Sequence, residues 1–260
     1  MTIDISRAHI GRIYDYVLGG TQNYESDRRA ADAMVELMPA YPRWARINRS
    51  FLSHVGRRWA AEGVKAILDL GSGLPTQGHF NEHLPEAKIL FSDFDPLTVA
   101  QAQQLLAYTP DMAYANIDLR DPDALIEQAS EYFGADRRLA VGGIGVMYFL
   151  TDDEIRSLMK RLHDFCAPGT KMALSFHHMP AGTDPGMIEQ MIAEAVRHAR
   201  INFFLRTAEH MAELIAPWRL TVSKPIQDWL EERERALLPP AQSSEGPFAP
   251  LILVGAFAEH

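Results

Sequence analysis

The spacing of apolar residues changes at about residue 63. Before that point apolar side chains recur every three or four residues, which predicts helices. Ser26 is a suitable N-cap for a helix that runs to about Leu37, and the segment 38–42, with two prolines, breaks it. A second helix over about residues 43–62 has five large apolar side chains near one face: Trp44, Ile47, Phe51, Val55 and Trp59. We therefore predict an N-terminal helical segment over residues 1–62.

Beyond residue 63, short apolar runs alternate with helical patterns. The predicted strands cover residues 65–70, 88–93, 112–117, 139–146, 171–176, 219–222 and 250–257. The predicted helices cover residues 96–108, 121–132, 152–165 and 207–215, and Thr151 with Glu154 forms a capping box for the third of them. This alternation predicts an α/β fold, a mostly parallel sheet with helices on both faces. We assign residues 63–260 to this sheet domain, with a helical insertion at about 180–206 and an exposed loop at 241–247.

Polar residues and glycines follow the first three predicted strands. The sequences there are Asp69-Leu70-Gly71-Ser72-Gly73, Asp93-Phe94-Asp95 and Asp118-Leu119-Arg120. Open parallel sheets bind ligands beyond the carboxyl ends of their strands, so these groups are expected at one site. The glycines allow a sharp turn and close approach to a ligand, while Asp93 has the spacing of a carboxylate that accepts hydrogen bonds from ribose hydroxyls. Asp118 can accept a hydrogen bond from an adenine amine. The combination predicts a nucleoside-type ligand.

The glycine loop favours S-adenosylmethionine over NAD. A dinucleotide loop continues with a third glycine, whereas this chain continues as Leu74-Pro75-Thr76-Gln77-Gly78. Asp69, just ahead of the glycines, would repel a pyrophosphate but suits the ammonium group of a methionyl tail. No phosphate-binding loop of the nucleoside triphosphate type is present. An NAD-dependent Rossmann enzyme stays open as a further alternative.

These motifs, together with an N-terminal block, resemble the bacterial S-adenosyl methyltransferase family, long known as a domain of unknown function. The block reads Arg12-Ile13-Tyr14-Asp15-Tyr16-Val17-Leu18-Gly19-Gly20-Thr21-Gln22-Asn23-Tyr24, and a helix motif follows as Asn48-Arg49-Ser50-Phe51-Leu52. The resemblance implies a Rossmann-like class-I methyltransferase sheet of seven strands with the last strand antiparallel. It also implies that residues 1–62 cover the cofactor. Arg12 or Arg49 would then pair with the methionyl carboxylate, and Tyr16 would line the pocket.

The residues that we expect to bind the cofactor come from these blocks. They are Arg12, Tyr16, Gly19, Arg49, Asp69, Gly71, Ser72, Gly73, Asp93, Phe94, Asp95, Asp118 and Leu119.

The acceptor side departs from the family pattern. Family members usually show Leu-His-Phe after the fourth strand, where this chain reads Met147-Tyr148-Phe149, and the match is loose beyond about residue 180. His177, His178 and Tyr148 are the candidate catalytic residues, since each follows a strand and could meet an acceptor hydroxyl. Plain hydrogen bonding by the histidines and a wall position for Tyr148 are the alternatives. An apolar acceptor pocket or a packed helical lid could use four further aromatic residues: Trp218, Trp229, Phe203 and Phe204.

Composition narrows the class of partner. The net charge is −9, and nine arginines lie within the first sixty residues, so the rest of the chain is strongly acidic. This acidity argues against a nucleic-acid partner. The single cysteine, Cys166, is expected to be a buried thiol, and no metal site is predicted. No leader or membrane segment is apparent, so we expect a cytoplasmic location. A homodimer stays open.

The predicted function is methylation of a small molecule, at an oxygen atom of a specialised metabolite, with S-adenosylmethionine as donor and S-adenosylhomocysteine as product. The alternative is a protein that binds this cofactor for other chemistry or for a non-catalytic role.

Overall fold

A seven-stranded sheet forms the centre of the protein. The computed structural model describes residues 5–76, 78–107, 109–178, 186, 193, 203–238 and 251–260. The strands are β1 (Ala66–Asp69), β2 (Lys88–Asp93), β3 (Met112–Asn116), β4 (Ala140–Gly143), β5 (Lys171–His178), β6 (Arg219–Pro225) and β7 (Ile252–Glu259). Their order is β3-β2-β1-β4-β5-β7-β6, and β7 is antiparallel to both β5 and β6. The predicted mostly parallel sheet and the antiparallel last strand are confirmed.

The helices pack on both faces of this sheet. The N-terminal ones are α1 (Ile10–Val17), α2 (Glu25–Leu37) and α3 (Tyr41–Ala61). The later ones are α4 (Phe80–His83), α5 (Pro96–Leu105), α6 (Pro122–Phe133), α7 (Asp152–Phe165), α8 (Ala208–Leu214) and α9 (Glu232–Ala236). Short 3₁₀ turns cover Met147–Phe149 and Ile226–Asp228.

Helix α3 brings the N-terminal segment onto the sheet. All five apolar residues predicted for its inner face, Trp44 to Trp59, are buried. Phe51 lies so close to Gly255 of β7 that a Cβ atom at Gly255 would be 2.5 Å from the Phe51 ring. Because interiors are close-packed, this glycine allows the helix and the strand to approach each other. On the other face, α6, α7 and α8 contribute Leu125, Leu158 and Leu214 to a second core cluster.

The helix caps follow the sequence except at α2. Thr151 accepts a hydrogen bond from the Glu154 N–H, as predicted for α7, and Asp95 caps α5 by accepting one from the Thr98 N–H. Helix α2 starts one residue before the predicted cap Ser26. Asp27, inside its first turn, accepts a hydrogen bond from the Tyr24 N–H instead.

The fourth strand is shorter than its apolar run. Strand β4 ends at Gly143, and the chain then turns through Gly145, whose φ is +85°, into the 3₁₀ turn at Met147–Phe149. The continuous apolar run could not distinguish these two structures, because the turn is buried as well. Most of the predicted insertion at 180–206 and the whole of the predicted loop at 241–247 lie outside the described residues.

Candidate functional site

A cavity of about 420 Å³ lies between the N-terminal helices and the carboxyl ends of the parallel strands. One end is formed by the loops after β1, β2 and β3, and the other lies over β4, β5 and β7. The loop end includes Gly71, Ser72, Gly73, Asp93, Phe94, Asp118 and Leu119. The opposite end is lined by aromatic and apolar side chains, among them Met38, Tyr41, Trp44, Tyr148, Phe149, His177 and Phe203.

Hydrogen bonds fix the glycine loop after β1. The Ser72 hydroxyl donates to the Asp69 carbonyl at 3.0 Å, and the Ser72 N–H donates to the Ser92 carbonyl at 2.7 Å. Gly71 has a φ of +59°, and a Cβ atom there would lie 2.6 Å from a Val146 methyl group. Glycine is therefore required at this position by both backbone conformation and space.

Helix α1 packs directly on this loop. A Cβ atom at Gly11 would lie 3.6 Å from the Cα atom of Gly73. The Tyr114 hydroxyl, from β3, donates to the Gly73 carbonyl on the sheet side. Gly73 itself has a φ of +63°. The second glycine of the motif thus lies between the N-terminal segment and the sheet, a contact that the motif alone did not indicate.

Asp93 is buried at the end of β2 and lines the cavity. Its Oδ2 accepts a hydrogen bond from the Gly73 N–H at 3.2 Å, and its Oδ1 accepts from the Asp95 N–H at 2.9 Å. Burial raises the pKa of this carboxyl above its ordinary value, with the nearby His9 acting in the opposite direction. Each oxygen uses one acceptor position and keeps another for a ligand. The neighbouring Phe94 is 53% exposed and also lines the cavity.

The loop after β3 contributes an acidic residue that already has a partner. Asp118 accepts hydrogen bonds from Arg120, whose Nε lies 2.9 Å from Oδ1 and 3.0 Å from Oδ2. Arg120 holds the pKa of Asp118 below its ordinary value, chiefly through these bonds. Leu119, by contrast, is buried. Both Asp118 and Arg120 line the cavity, so they face a ligand as a pair.

Arg12 is not among the residues that line the cavity. Its Nε donates to Asp27 Oδ2 at 2.9 Å, one terminal nitrogen donates to Asp95 Oδ2, and the other donates to the Arg7 carbonyl at 2.8 Å. The residue is 1% exposed. Arg12 and Asp95 therefore belong to a hydrogen-bonded network that joins α1 to the end of β2. This corrects the expectation that Arg12 is free to meet a ligand carboxylate.

Arg49, the alternative to Arg12, does line the cavity. Its Nε and one terminal nitrogen are buried and have no hydrogen-bond partner among the described residues. Its guanidinium lies 5.4 Å from the centre of the Tyr14 ring. A buried guanidinium with unpaired donors is costly unless an anion is supplied, so Arg49 has the chemistry of a carboxylate-binding residue.

Asp69 lies beneath the glycine loop rather than on the cavity wall. Its Oδ2 is 3.6 Å from the His79 Nε2, and a Cβ atom at Gly142 would be 2.7 Å from its Oδ1. Burial raises its pKa to about 7, although Ser72 and Arg49 act to lower it. The expectation that Asp69 meets an ammonium group directly is therefore not matched by its position.

The remaining N-terminal residues also lie off the cavity wall. Tyr16 donates to Asp32 Oδ1 at 3.4 Å, and Gly19, with a φ of +87°, follows the end of α1. Asp15, which the sequence did not single out, lines the cavity. Its Oδ2 accepts hydrogen bonds from the Gln22 N–H and the Asn23 side chain. These contacts hold the turn that follows α1 in place.

The aromatic end surrounds a buried histidine. The His177 ring lies 5.1 Å from Trp44, 4.7 Å from Tyr148 and 4.7 Å from Phe203, measured between ring centres. Burial lowers the pKa of His177 to about 3, and no charged side chain of the described ranges contributes to this shift. Burial likewise raises the pKa of Tyr148 well above its ordinary value, with lesser contributions from Tyr14 and Tyr41. Both groups are therefore neutral at pH 7.

Of the other predicted acceptor-side residues, only Phe203 joins this wall. His178 is at the end of β5 but does not line the cavity. The indole N–H groups of Trp218 and Trp229 donate to the carbonyls of Met159 and Gly255, so both rings pack elsewhere. Phe204 is not part of the cavity wall either. Their placement depends on tertiary contacts that local patterns do not contain.

Asn48 was missed as a separate site residue. Its Oδ1 accepts a hydrogen bond from the Ser175 hydroxyl at 2.7 Å, and that hydroxyl accepts from the Gly145 N–H at 2.9 Å. A Cβ atom at Gly145 would lie 2.6 Å from the Asn48 amide nitrogen. This chain connects α3 to the ends of β4 and β5. The sequence feature that could have identified Asn48 is the Asn48-Arg49 pair of the helix motif, from which only Arg49 was predicted as a site residue.

Two further properties of the described ranges bear on the type of protein. Within them, no group of three or more histidine, cysteine or acidic side chains is arranged to hold a metal ion. None of the helices described is both long and apolar enough to cross a membrane. Cys166 is buried, as predicted, and burial raises the pKa of its thiol to about 12.

Comparison with known proteins agrees with this geometry. The profile of the S-adenosyl methyltransferase family matches residues 1–244. A Mycobacterium tuberculosis protein named as a candidate S-adenosyl-L-methionine-dependent methyltransferase is 29% identical over 151 residues, which are 56% of this chain and 48% of that protein. The chain thus spans about half the length of the curated relatives it matches.

Two crystal structures share the whole fold. A DUF574 family protein from Streptomyces avermitilis is 26% identical, with a TM-score of 0.80 over 98% of both chains. A candidate methyltransferase from Thermobifida fusca is 24% identical, with a TM-score of 0.81 over 98% of this chain and 96% of that one. The chain therefore belongs to the S-adenosyl methyltransferase family, whose cofactor is S-adenosylmethionine, and has the Rossmann-like fold of class-I methyltransferases.

Proposed function

We propose that this protein transfers a methyl group from S-adenosylmethionine to an oxygen atom of a small molecule. The observation that carries the proposal is the two-ended cavity. One end has the glycine loop and Asp93, and the other has an uncharged aromatic wall. Helices from the N-terminal segment and loops from the sheet both line it, so we propose that residues 1–62 cover the bound cofactor.

The residues at the loop end fit the adenosine part of the cofactor. The free acceptor positions of Asp93 suit the two ribose hydroxyls, and Gly71, Ser72 and Gly73 leave backbone within reach of the ligand. Phe94 and Leu119 offer apolar surface for the adenine ring. Asp118 remains the proposed partner of the adenine amine. Because Arg120 already donates two hydrogen bonds to each of its carboxylate oxygens, the bond to the amine would replace one of these.

Arg49 fits the methionyl carboxylate. Its buried Nε and terminal nitrogen have no partner among the described residues, which is the condition that a ligand carboxylate would relieve. The buried carboxyl of Asp69 is close enough to be influenced by Arg49 and adds negative charge beneath the loop when ionised. We therefore assign Arg49, and not Arg12, to the amino-acid end of the cofactor.

When bound, S-adenosylmethionine supplies an electrophilic methyl group on a positively charged sulfur. The contribution of the protein is to orient the acceptor and to exclude water, which can be worth about 7 kcal/mol or more. An acceptor hydroxyl loses its proton to His177 or to water as the new C–O bond forms and the bond between the methyl group and sulfur breaks. His177, which stays neutral, can accept a hydrogen bond from that hydroxyl, whereas Tyr148 stays protonated and can only donate to a base or orient the acceptor.

Binding and turnover test this function separately. Calorimetric titration with S-adenosylhomocysteine should give saturable binding to the wild type. Asp93→Asn should weaken it by about tenfold to a hundredfold, because a charged acceptor is lost. Asp153→Asn, whose side chain is 98% exposed on α7, is the matched control and should bind normally.

Turnover is then measured as acceptor-dependent formation of S-adenosylhomocysteine from S-adenosylmethionine with a panel of phenols, alcohols and amines. Products from hydroxyl compounds alone support O-methylation, and products from amines alone contradict it. Binding without turnover on any acceptor would favour the non-catalytic alternative. Failure to bind S-adenosylhomocysteine would contradict the proposed cofactor site.

A further inference from the structure

The aromatic end of the cavity has a composition that disfavours charged ligands. Its wall contains rings from three different regions, Trp44 on α3, Tyr148 in the 3₁₀ turn and Phe203 ahead of α8, arranged around His177 at the end of β5. The ring planes meet at 63°, 68° and 58° to the imidazole. Tilted and edge-on contacts of this kind are the preferred geometry between aromatic rings.

No charged side chain among the described residues shifts the pKa of His177 or Tyr148 at this end. The charged residues of the cavity wall are Asp15, Arg49, Asp93, Asp118 and Arg120. None of them shifts the pKa of His177, which is lowered by burial. The shift at Tyr148 comes from burial and from two other phenols, Tyr14 and Tyr41. The charged side chains described on the wall therefore have no electrostatic effect on these two groups at the aromatic end.

The same surroundings that keep His177 neutral would penalise a charged ligand. A bound carboxylate would need a cationic partner there, because the neutral N–H of His177 and O–H of Tyr148 do not balance a buried charge. A bound ammonium group would likewise need a carboxylate. Aromatic faces can attract a cation, but this attraction is smaller than the cost of burying an unpaired ammonium group. A neutral planar ring avoids these costs and gains ring contacts on several sides.

From this arrangement we infer that the aromatic end is the acceptor subsite and that it takes an uncharged, planar aromatic molecule bearing a hydroxyl group. The inference rests on the proposed methyl-transfer function for the identity of the site as an acceptor subsite. The preference for neutral aromatic ligands can be measured by binding alone, without turnover.

Matched naphthalene probes test the preference. 2-Naphthol, naphthalene-2-carboxylate and 2-naphthylmethylammonium differ in charge, and 2-decalol replaces the aromatic rings by saturated ones. Each is titrated calorimetrically at pH 7.5 into the wild type, with and without saturating S-adenosylhomocysteine. We expect 2-naphthol to bind at least about tenfold more tightly than each of the other three.

Two variants test whether 2-naphthol binds in this part of the cavity. Phe203→Leu removes one wall of the subsite and should weaken 2-naphthol binding by about fivefold or more while leaving the affinity for S-adenosylhomocysteine unchanged. Trp229→Leu is the control, because this ring packs on Phe51 and Phe257 outside the cavity. It should leave the affinity for both ligands unchanged.

Several results would overturn the inference. Tighter binding of the ammonium or carboxylate probe would assign a charged acceptor, and equal binding of 2-decalol would remove the role of the rings. Absence of 2-naphthol binding by a protein that binds S-adenosylhomocysteine would also refute it while leaving the cofactor site intact. Conversely, 2-naphthol binding without S-adenosylhomocysteine binding would support the neutral aromatic subsite and contradict the proposed function.

Discussion

Replacement of Arg12 by methionine should destabilise the protein far more than the loss of an ordinary arginine. The Arg12 side chain is about 2% exposed, and that of its partner Asp27 is fully buried. Breaking a buried ion pair by removing one partner costs about 3–5 kcal/mol, because the remaining charge stays buried without compensation.

The local contacts set the expected value within this range. Asp27 keeps two backbone donors after the substitution, the N–H groups of His9 and Tyr24, each at 2.9 Å. Asp95 keeps the Thr98 N–H and hydroxyl. Because both carboxylates retain hydrogen bonds, we expect the loss to lie near the lower end, about 3 kcal/mol.

Equilibrium unfolding in urea measures this loss. The midpoint for Arg12→Met should fall by an amount on the order of 1 M relative to the wild type. Arg29→Met is the matched control, since Arg29 is 75% exposed and its ion pair with Glu25 should contribute less than about 1 kcal/mol. In the double variant Arg12→Met/Asp27→Asn the two losses should not add, because the unpaired carboxylate is gone.

A loss below about 1 kcal/mol for Arg12→Met, equal to that of the control, would refute this account of the network. Strict additivity in the double variant would show that Arg12 and Asp27 act independently. Either result would reopen Arg12 as a residue available to a ligand.

Three further predictions concern the loop, the buried histidine and the thiol. Gly71→Ala should lower the free energy of unfolding by about 2–4 kcal/mol from backbone strain and the clash with Val146, whereas Gly63→Ala, also at positive φ but with open space, should cost only about 1–2 kcal/mol in the same urea assay. His177 has a pKa of about 3 when folded, so the unfolded chain takes up its proton first as the pH falls below about 6.5, and stability is lost. Between pH 8 and pH 5 the stability difference between His177→Phe and the wild type should therefore shift by about 2 kcal/mol in favour of the variant, and an unchanged difference would contradict the burial of the imidazole. Cys166 should react with a thiol reagent at pH 8 only after unfolding in urea, and rapid reaction of the native protein would contradict its burial.

Local signals in the sequence were sufficient for the sheet and for the loop end of the site. Gly71 and Asp93 stand at strand ends, where the fold itself determines what lies nearby, so their proximity follows from a correct assignment of strands. The capping box of α7 and the buried face of α3 are likewise encoded within a few residues.

The choice between Arg12 and Arg49 could not be made from local patterns. Arg12 meets Asp95, which is 83 residues away, and only the folded chain shows that this carboxylate is near enough to occupy it. The same holds for Trp218 and Trp229, whose indole groups bond to distant carbonyls rather than line the cavity. Both cases are decided by long-range packing, which residue type and spacing do not specify.

The assignment of the two ends of the cofactor is tested most directly by a ligand that lacks one end. 5′-Methylthioadenosine keeps the adenosine part of S-adenosylhomocysteine but has no amino-acid tail. We predict that Arg49→Met weakens the binding of S-adenosylhomocysteine by about tenfold or more and leaves that of 5′-methylthioadenosine unchanged, while Asp93→Asn weakens the binding of both ligands by similar factors. Arg156→Met, at an exposed arginine of α7, serves as the control for the first variant and should change neither affinity. Equal weakening of both ligands by Arg49→Met, or no effect of Asp93→Asn on either, would contradict the proposed cofactor site.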